Sequence, residues 1–470
     1  MLGTDAAAIA RLRASLAAAA YDSTGFKRAL GQEGYVPKAG ERPAALAELD
    51  PAHPLAVLIP LFLLELPVRR ADAERVVDVA DAVALGLVED GAEVRPLVRL
   101  VPSGHAVFAA DLEHAGGHEH VLGVTPSSAL LGNLASRHPV ERALDLGTGC
   151  GIQAYLLAKH AERIVATDVN ERALDFARFN LALNGAAGVE LRSGNWLEPV
   201  SGERFDLVLC NPPFVISPES RYTYRDSGLP ADELVRRLVE DIPGLLEEGG
   251  TAQLLLSWIV RAGESWADPV AAWLEGSGCD ALLLRYRLDS PRGYAEHWNR
   301  GDDAAIQGWV EWYEELGAEA IAYGALALRR RGDGGGFVIA EVAADRLEPA
   351  GDHVHRILDA QALLAEASDH DLLDRNFTLS HDHLLQQALV VRDGGWEVDV
   401  AVLRLQEGLG FEAEIDAFTA SLLARLDAGI TLRAALEEAV AAVGRPRAEL
   451  HGAAVPLVRG MVELGFLRIR

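Results

Sequence analysis

The sequence predicts an α/β fold: an open, mainly parallel sheet with small domains on either side. Three observations carry that expectation. From Arg142 onward, short apolar runs alternate with stretches of helical periodicity. The first run leads directly into Gly147-Thr148-Gly149-Cys150-Gly151, and the fourth runs into Asn211-Pro212-Pro213-Phe214. Each cluster of turn residues therefore sits at the carboxyl end of a predicted strand.

At 470 residues the chain exceeds one ordinary core, so several domains are expected. Residues 1–20 read as an amphipathic helix and Gly31–Gly40 as a turn-rich break. Two helices, 55–66 and 71–85, precede extended segments 93–101 and 105–111, an outline of the winged-helix kind. Residues 1–113 thus form a candidate recognition domain. The helix 71–85 carries Asp72, Glu74, Asp78 and Asp81 against Arg75, a poor composition for a DNA groove. The stretch His114–His120 is a linker candidate.

The central domain, 121–345, begins with strand 142–146 and helix 153–160. Strand 163–167 and helix 171–183 follow, then strands 189–192 and 205–210. Helix 233–246, strand 251–257, helix 268–276 and strands 281–288 and 322–330 complete the sheet. Residues 289–316, with Trp298, Trp309 and Trp312, read as an insertion, and 337–342 as a further strand. Residues 350–470 predict a hairpin (388–391 and 396–404) and three helices (415–426, 432–443, 453–464). This is a second small α+β domain, again of winged-helix outline.

Composition narrows the function classes. The hydrophobic share of 50% and the charged share of 24% are those of a soluble globular protein. Cys150, Cys210 and Cys279 form no CxxC pair, so neither a disulfide framework nor a zinc ribbon is expected. The histidines His353, His355, His370, His381 and His383 match no zinc spacing, and no metal is expected. A reducing, cytoplasmic setting fits. The apolar run 55–64 contains Pro60 and is far short of the ~20 residues of a membrane span. Net charge is −27, spread along the chain, and no basic stripe stands out for duplex DNA.

The glycines permit positive φ and let the backbone approach a ligand. Their spacing, Gly147-x-Gly149-x-Gly151, differs from the GxGxxG of dinucleotide binders. Asp168 ends the second strand, where a carboxylate can accept from ribose hydroxyls. With Asn-Pro-Pro-Phe downstream, residues 124–258 resemble the S-adenosylmethionine-dependent methyltransferases that modify planar nitrogens, a Rossmann-like class I fold. The motif around Asp145 is similar to the loop that wraps the methionine part of S-adenosylmethionine. Asp168-Val169-Asn170, followed by Asn180 and Asn184, looks like the second motif. The family's third motif implies that Asn195, in place of the usual Asp, meets the adenine amino group, with Trp196 beside it.

The resemblance implies a cofactor set of Asp145, Gly147, Thr148, Gly149, Gly151, Asp168, Asn195, Trp196 and Asn211. It also implies catalysis by Asn211, Pro212 and Phe214. An amide or aromatic amine is a poor nucleophile, and acceptors on both its N–H bonds can hold its lone pair on the methyl axis. The Asn211 oxygen and the Pro212 carbonyl are such acceptors, the Pro212-Pro213 pair stiffens their loop, and Phe214 can stack on the substrate. Pro213, Phe214, Tyr222 and Arg225 are the substrate-binding candidates.

The leading expectation is methylation of a base in RNA, ribosomal RNA foremost. Its first alternative is a protein glutamine methyltransferase of the release-factor type, whose basic ribosomal partners the acidic surface would attract. DNA adenine methylation ranks lower on charge. An alternative of another class is a non-catalytic S-adenosylmethionine sensor that binds DNA.

Overall fold

The protein is described by a computed structural model covering residues 2–31, 46–47, 49–219, 224–226, 228–332, 334–342, 349–392, 394–443 and 447–470. Eight apolar runs form one sheet. They are β1 (Val140–Leu146), β2 (Ala161–Asp168), β3 (Val189–Ser193), β4 (Phe205–Cys210), β5 (Leu246–Arg261), β6 (Cys279–Asp289), β7 (Ala318–Arg330) and β8 (Phe337–Glu341). Their order across the sheet is β8-β6-β7-β5-β4-β1-β2-β3. All neighbours are parallel except β7, which runs antiparallel to both β5 and β6. Strand order reverses between β1 and β4, so both turn-rich loops open at the crevice where ligands of such sheets bind.

Burial on both faces explains why the middle strands read as unbroken apolar runs. Leu207 and Leu209 of β4 join one core, with Leu131 and Ala154 from helices Pro126–Leu134 and Ile152–Leu157. Val208 faces the opposite core, with Leu238 and Val239 of helix Glu233–Asp241. That helix is shorter than the 233–246 expected, because Pro243 interrupts it and a tight 3-10 turn, Ile242–Leu245, follows. The predicted insertion is two helices, Pro291–Trp298 and Asp303–Glu315, between β6 and β7. Since β6 ends and β7 begins at the same sheet edge as Asn211, the helix pair stands over the cleft.

The N-terminal region departs from expectation in two ways. The expected helix 71–85 is two short helices, Arg70–Ala73 and Val79–Ala84, the second capped by the Asp78 side chain accepting from Asp81 N at 3.0 Å. The hairpin expected from 93–101 and 105–111 forms between Arg99–Ser103 and Ala106–Ala110 as a separate two-stranded sheet. The helices are instead joined by a three-stranded antiparallel sheet of Val68–Arg69, Val88–Glu89 and Glu93–Pro96, the last in the middle. Asn180 and Asn184 tie this region to the central domain. Their amides bond both N–H and C=O of Ala109 and of Val107 at 2.6–3.0 Å, imitating a neighbouring strand.

Towards the C-terminus, helix Gly351–Glu366 packs on the sheet, where Gln361 Nε2 donates to Ala281 O at 3.1 Å. Strands Phe377–Leu379 and Leu467–Ile469 pair, bringing the two ends of that region together. A long hairpin, His383–Arg392 and Gly395–Leu405, exceeds the one expected. Helices Ala417–Asp427, Leu432–Val443 and Arg447–Glu463 follow. Among the described residues no helix is long and apolar enough to cross a membrane.

Candidate active site

The loops after β1, β2, β3 and β4 converge on a cleft of about 1040 Å³. Its floor is the glycine loop. Gly147, Gly149 and Gly151 have φ of +75°, +53° and +86°, the left-handed region that costs a side chain strain. A Cβ at Gly147 or Gly149 would meet nothing within 4 Å, so packing is not what those two glycines serve; at Gly151 it would press on Ala177 Cα at 3.1 Å. Gly147 N and Thr148 N both donate to Thr167 O, at 3.0 and 2.8 Å, which anchors the loop to β2.

Asp145 lies behind this loop. Its carboxylate is almost wholly buried and accepts from Thr148 Oγ1 at 2.6 Å and Ala154 N at 2.9 Å. It is absent from the cleft wall, so its side chain shapes the loop and does not reach a ligand there. Burial pushes its pKa up to about 7, against the two hydrogen bonds that favour the charge. Asp168 does line the cleft. Its two oxygens accept from Gly149 N and Asn170 N, each at 2.9 Å, and burial raises its pKa as well.

Asn195 and Trp196 form the next wall. Trp196 takes φ +57°, a conformation uncommon for a bulky residue, and its indole N–H donates to Asp241 Oδ2 at 3.2 Å. At the opposite end stand Asn211, Pro212, Pro213 and Phe214. Asn211 Oδ1 is buried and has no hydrogen-bond partner among the described residues. The Phe214 ring lies 5.1 Å from that of Tyr323, tilted by 36°.

The insertion holds the chain just beyond Phe214. Ile216 N donates to Tyr294 Oη at 3.2 Å, and Tyr313 Oη donates to Ile216 O at 2.7 Å. Both tyrosines are fully buried. One residue earlier, Val215 N donates to Arg225 O at 3.3 Å and Val215 pairs with Asp226.

Of the substrate candidates, Arg225 lines the cleft but its guanidinium is committed to Asp226, Nε to Oδ1 at 2.7 Å. Tyr222 lies outside the described residues. Sequence reasoning missed Tyr323, Tyr294 and Arg287, which also line the cleft. Tyr323 and Arg287 are paired in register at a bulge between Arg285 and Arg287, the kind of irregularity that re-aims a side chain beside a site. Nothing in a strand or helix pattern marks them.

Cys150, Cys210 and Cys279 are free, buried thiols, and burial drives their pKa upward, to about 12 for Cys150 and about 11 for Cys279. They act as core fillers. His353 is also structural: its ring bonds Leu464 O and Leu409 N at 3.0 and 3.2 Å, and burial lowers its pKa to about 4. Among the described residues no cluster of three metal-ligating side chains occurs.

Comparison with known proteins agrees with this geometry. Residues 124–258 match the methyltransferase small domain. Residues 18–99 and 355–469 match two further families, each described as a domain of unknown function. The chain is 35% identical to a release factor glutamine methyltransferase of Xylella fastidiosa, over 25% of this chain and 47% of that protein. It is 34% identical to a ribosomal protein uL3 glutamine methyltransferase of Bordetella pertussis, over 32% and 55%. It is 29% identical to ribosomal RNA small subunit methyltransferase C of Alcanivorax borkumensis, over 28% and 35%. The chain thus spans about half the length, or less, of these curated relatives. A solved methyltransferase from Pyrococcus furiosus aligns at 17% identity and TM-score 0.31, over 48% of this chain and 89% of that one. With its strand order and both motif loops in place, the segment 124–258 is identified as a methyltransferase small domain of class I architecture.

Proposed function

We propose that the protein is an S-adenosylmethionine-dependent N-methyltransferase acting on a planar nitrogen, with a base in RNA, ribosomal RNA foremost, as substrate. The observation that carries this reading is Asn211 Oδ1, buried at the end of β4 without a hydrogen-bond partner among the described residues. Left unbonded such an atom costs about 1–3 kcal/mol, and at a residue that lines the cleft a ligand N–H is well placed to offset it. A loop that merely turned the chain would have no use for it.

In this reading Gly147, Thr148, Gly149 and Gly151 cradle the donor's methionine part. Asp168 takes the ribose hydroxyls, Asn195 and Trp196 meet the adenine, and Asn211 borders the methyl group. S-adenosylmethionine, when bound, supplies an electrophilic methyl. Asn211 Oδ1 and the Pro212 carbonyl accept the two N–H bonds of the acceptor nitrogen, while Pro213 stiffens the loop and Phe214, backed by Tyr323, lies against its plane. The proton leaves to solvent once the nitrogen is cationic, so no strong base is required. Residues 1–113 and 350–470 present the substrate as flanking domains of winged-helix outline, in the cytoplasm.

A second reading, a protein glutamine N-methyltransferase of the release-factor type, is favoured by the names of two of the relatives above and by the net charge of −27, which would attract a basic ribosomal partner. Incubation with methyl-labelled cofactor and cell extract, followed by RNase or protease, separates the two. Label released by RNase supports the RNA reading, and label released by protease replaces it with the second. Cofactor binding with no label in any fraction would reject both and indicate a sensor.

A further inference from the structure

We propose that the hairpin His383–Arg392/Gly395–Leu405 is a self-association surface, where two copies of the chain pack their apolar hairpin faces together. The register pairs Leu385 with Leu403, Gln387 with Ala401, Leu389 with Val398 and Val391 with Trp396. Side chains alternate across a strand, so all eight lie on one face. At the base of that face Ala401 and Leu403 are buried in the C-terminal core. Towards the tip the same face emerges from the core. Leu385 is 39% exposed, Leu389 50%, Val391 62%, Val398 46% and Trp396 72%.

Together these five side chains expose roughly 500 Å² of largely apolar surface, at the upper end of what monomers leave in one patch. Two such faces with their polar rims reach the ~1,000 Å² total that a specific interface needs. A core face that continues past its own core resembles half of an obligate interface. The edge points the same way: the first strand borders its sheet, in the order that places the second strand between it and Glu412–Glu414, so its outer backbone groups are free to pair.

Charge selects the occupant. The chain carries −27, which repels a second copy over most of its surface, yet residues 383–405 hold two arginines against three acids. Of these, Arg392 and Asp399 neutralise each other at 2.5 Å, and Glu397 pairs with Val390 on the opposite face. A neutral apolar face suits neither RNA nor a basic peptide. It suits its own copy, and a two-fold pairing of like with like is the commonest closed assembly.

The test is sedimentation velocity on the full chain across micromolar concentrations, wild type beside Trp396→Lys/Val391→Lys. The wild type is expected to be a dimer, and the variant to dissociate at concentrations at least ~30-fold higher, the loss of one interface anchor. Both positions are solvent-facing in the single chain, so circular dichroism should show an unchanged folded spectrum and exclude unfolding. A monomeric wild type, or a dimer that the variant leaves intact, overturns the proposal. So does a monomeric wild type whose binding to a labelled RNA or protein substrate is lost in the variant, which would assign the face to the substrate.

Discussion

At the glycine-loop end of the cleft, Asp145 accepts from Thr148 and Ala154 and Asp168 accepts from Gly149 and Asn170. At the Asn211 end, a buried amide oxygen accepts from none of the described residues. The first end is largely set before any ligand arrives: Asp145 is spent on loop geometry, while Asp168 braces the loop and keeps acceptor capacity towards the cleft. The second is left incomplete. Under the proposed function, the cofactor would be served by a rigid cradle, and the reacting nitrogen would bring its own donors to complete the polar set. Preorganised acceptors of this kind need no rearrangement when charge develops.

The largest effect that tests this contrast is Asn211→Ala. Methyl transfer should fall ~10²-fold or more, by comparison with the loss of one positioned polar group. The melting temperature should hold or rise, because an unsatisfied buried oxygen is removed. Cofactor affinity, read by calorimetry, should change little. A variant of full activity, or one that loses stability in proportion to activity, would make Asn211 a structural residue.

A smaller effect is expected from Tyr313→Phe. It removes the hydroxyl that donates to Ile216 O at 2.7 Å and loosens the chain beyond Phe214. The expected cost is ~10-fold in kcat and about 1 kcal/mol in stability, with cofactor affinity unchanged. Steady-state kinetics with denaturant unfolding separates these quantities. A fall in cofactor affinity instead of kcat would place the tyrosine's influence at the wrong end.

The last test concerns the glycine-loop end and reads stability alone, with no change of rate at stake. Asp145 titrates near 3.8 when exposed and at about 7 when folded, because burial disfavours its charge. Between those values the folded protein holds a proton that the unfolded chain has released. Its contribution to stability is therefore full below about pH 4, declines as pH rises and is gone above about 7. Asp145→Asn should abolish that slope, seen as a difference between the two urea-unfolding profiles over this window. Parallel profiles would show that Thr148 and Ala154 outweigh burial.

Sequence pattern reached the glycine-loop end best. Leu144, Leu207 and Leu254 are buried middle-strand residues whose apolar runs end at turn residues, so periodicity and glycine chemistry both speak. It also located Asn211, because an apolar strand ending in Asn-Pro-Pro is a local signal. The acceptor wall was not legible. Tyr323 sits inside an apolar strand and Tyr294 inside a short helix, and only the β6–β7 pairing and the return of the insertion bring them to Phe214. Arg225 shows the same limit: composition shows a cation, but its pairing with the buried Asp226 is a tertiary fact. The helix expected over 71–85 failed where Asp78 offers its side chain to a new N-terminus.

The antiparallel β7 has one more consequence. Because it returns from the edge where β6 ends, the link between them never crosses the sheet and can lengthen without disturbing any parallel crossover. Helices Pro291–Trp298 and Asp303–Glu315 occupy that link while the cradle before it keeps its own connections. Under the proposed function, acceptor preference and donor binding would thereby be encoded in separable stretches of chain. Exchange of residues 290–317 is a route to retarget such an enzyme while leaving its donor half as it stands.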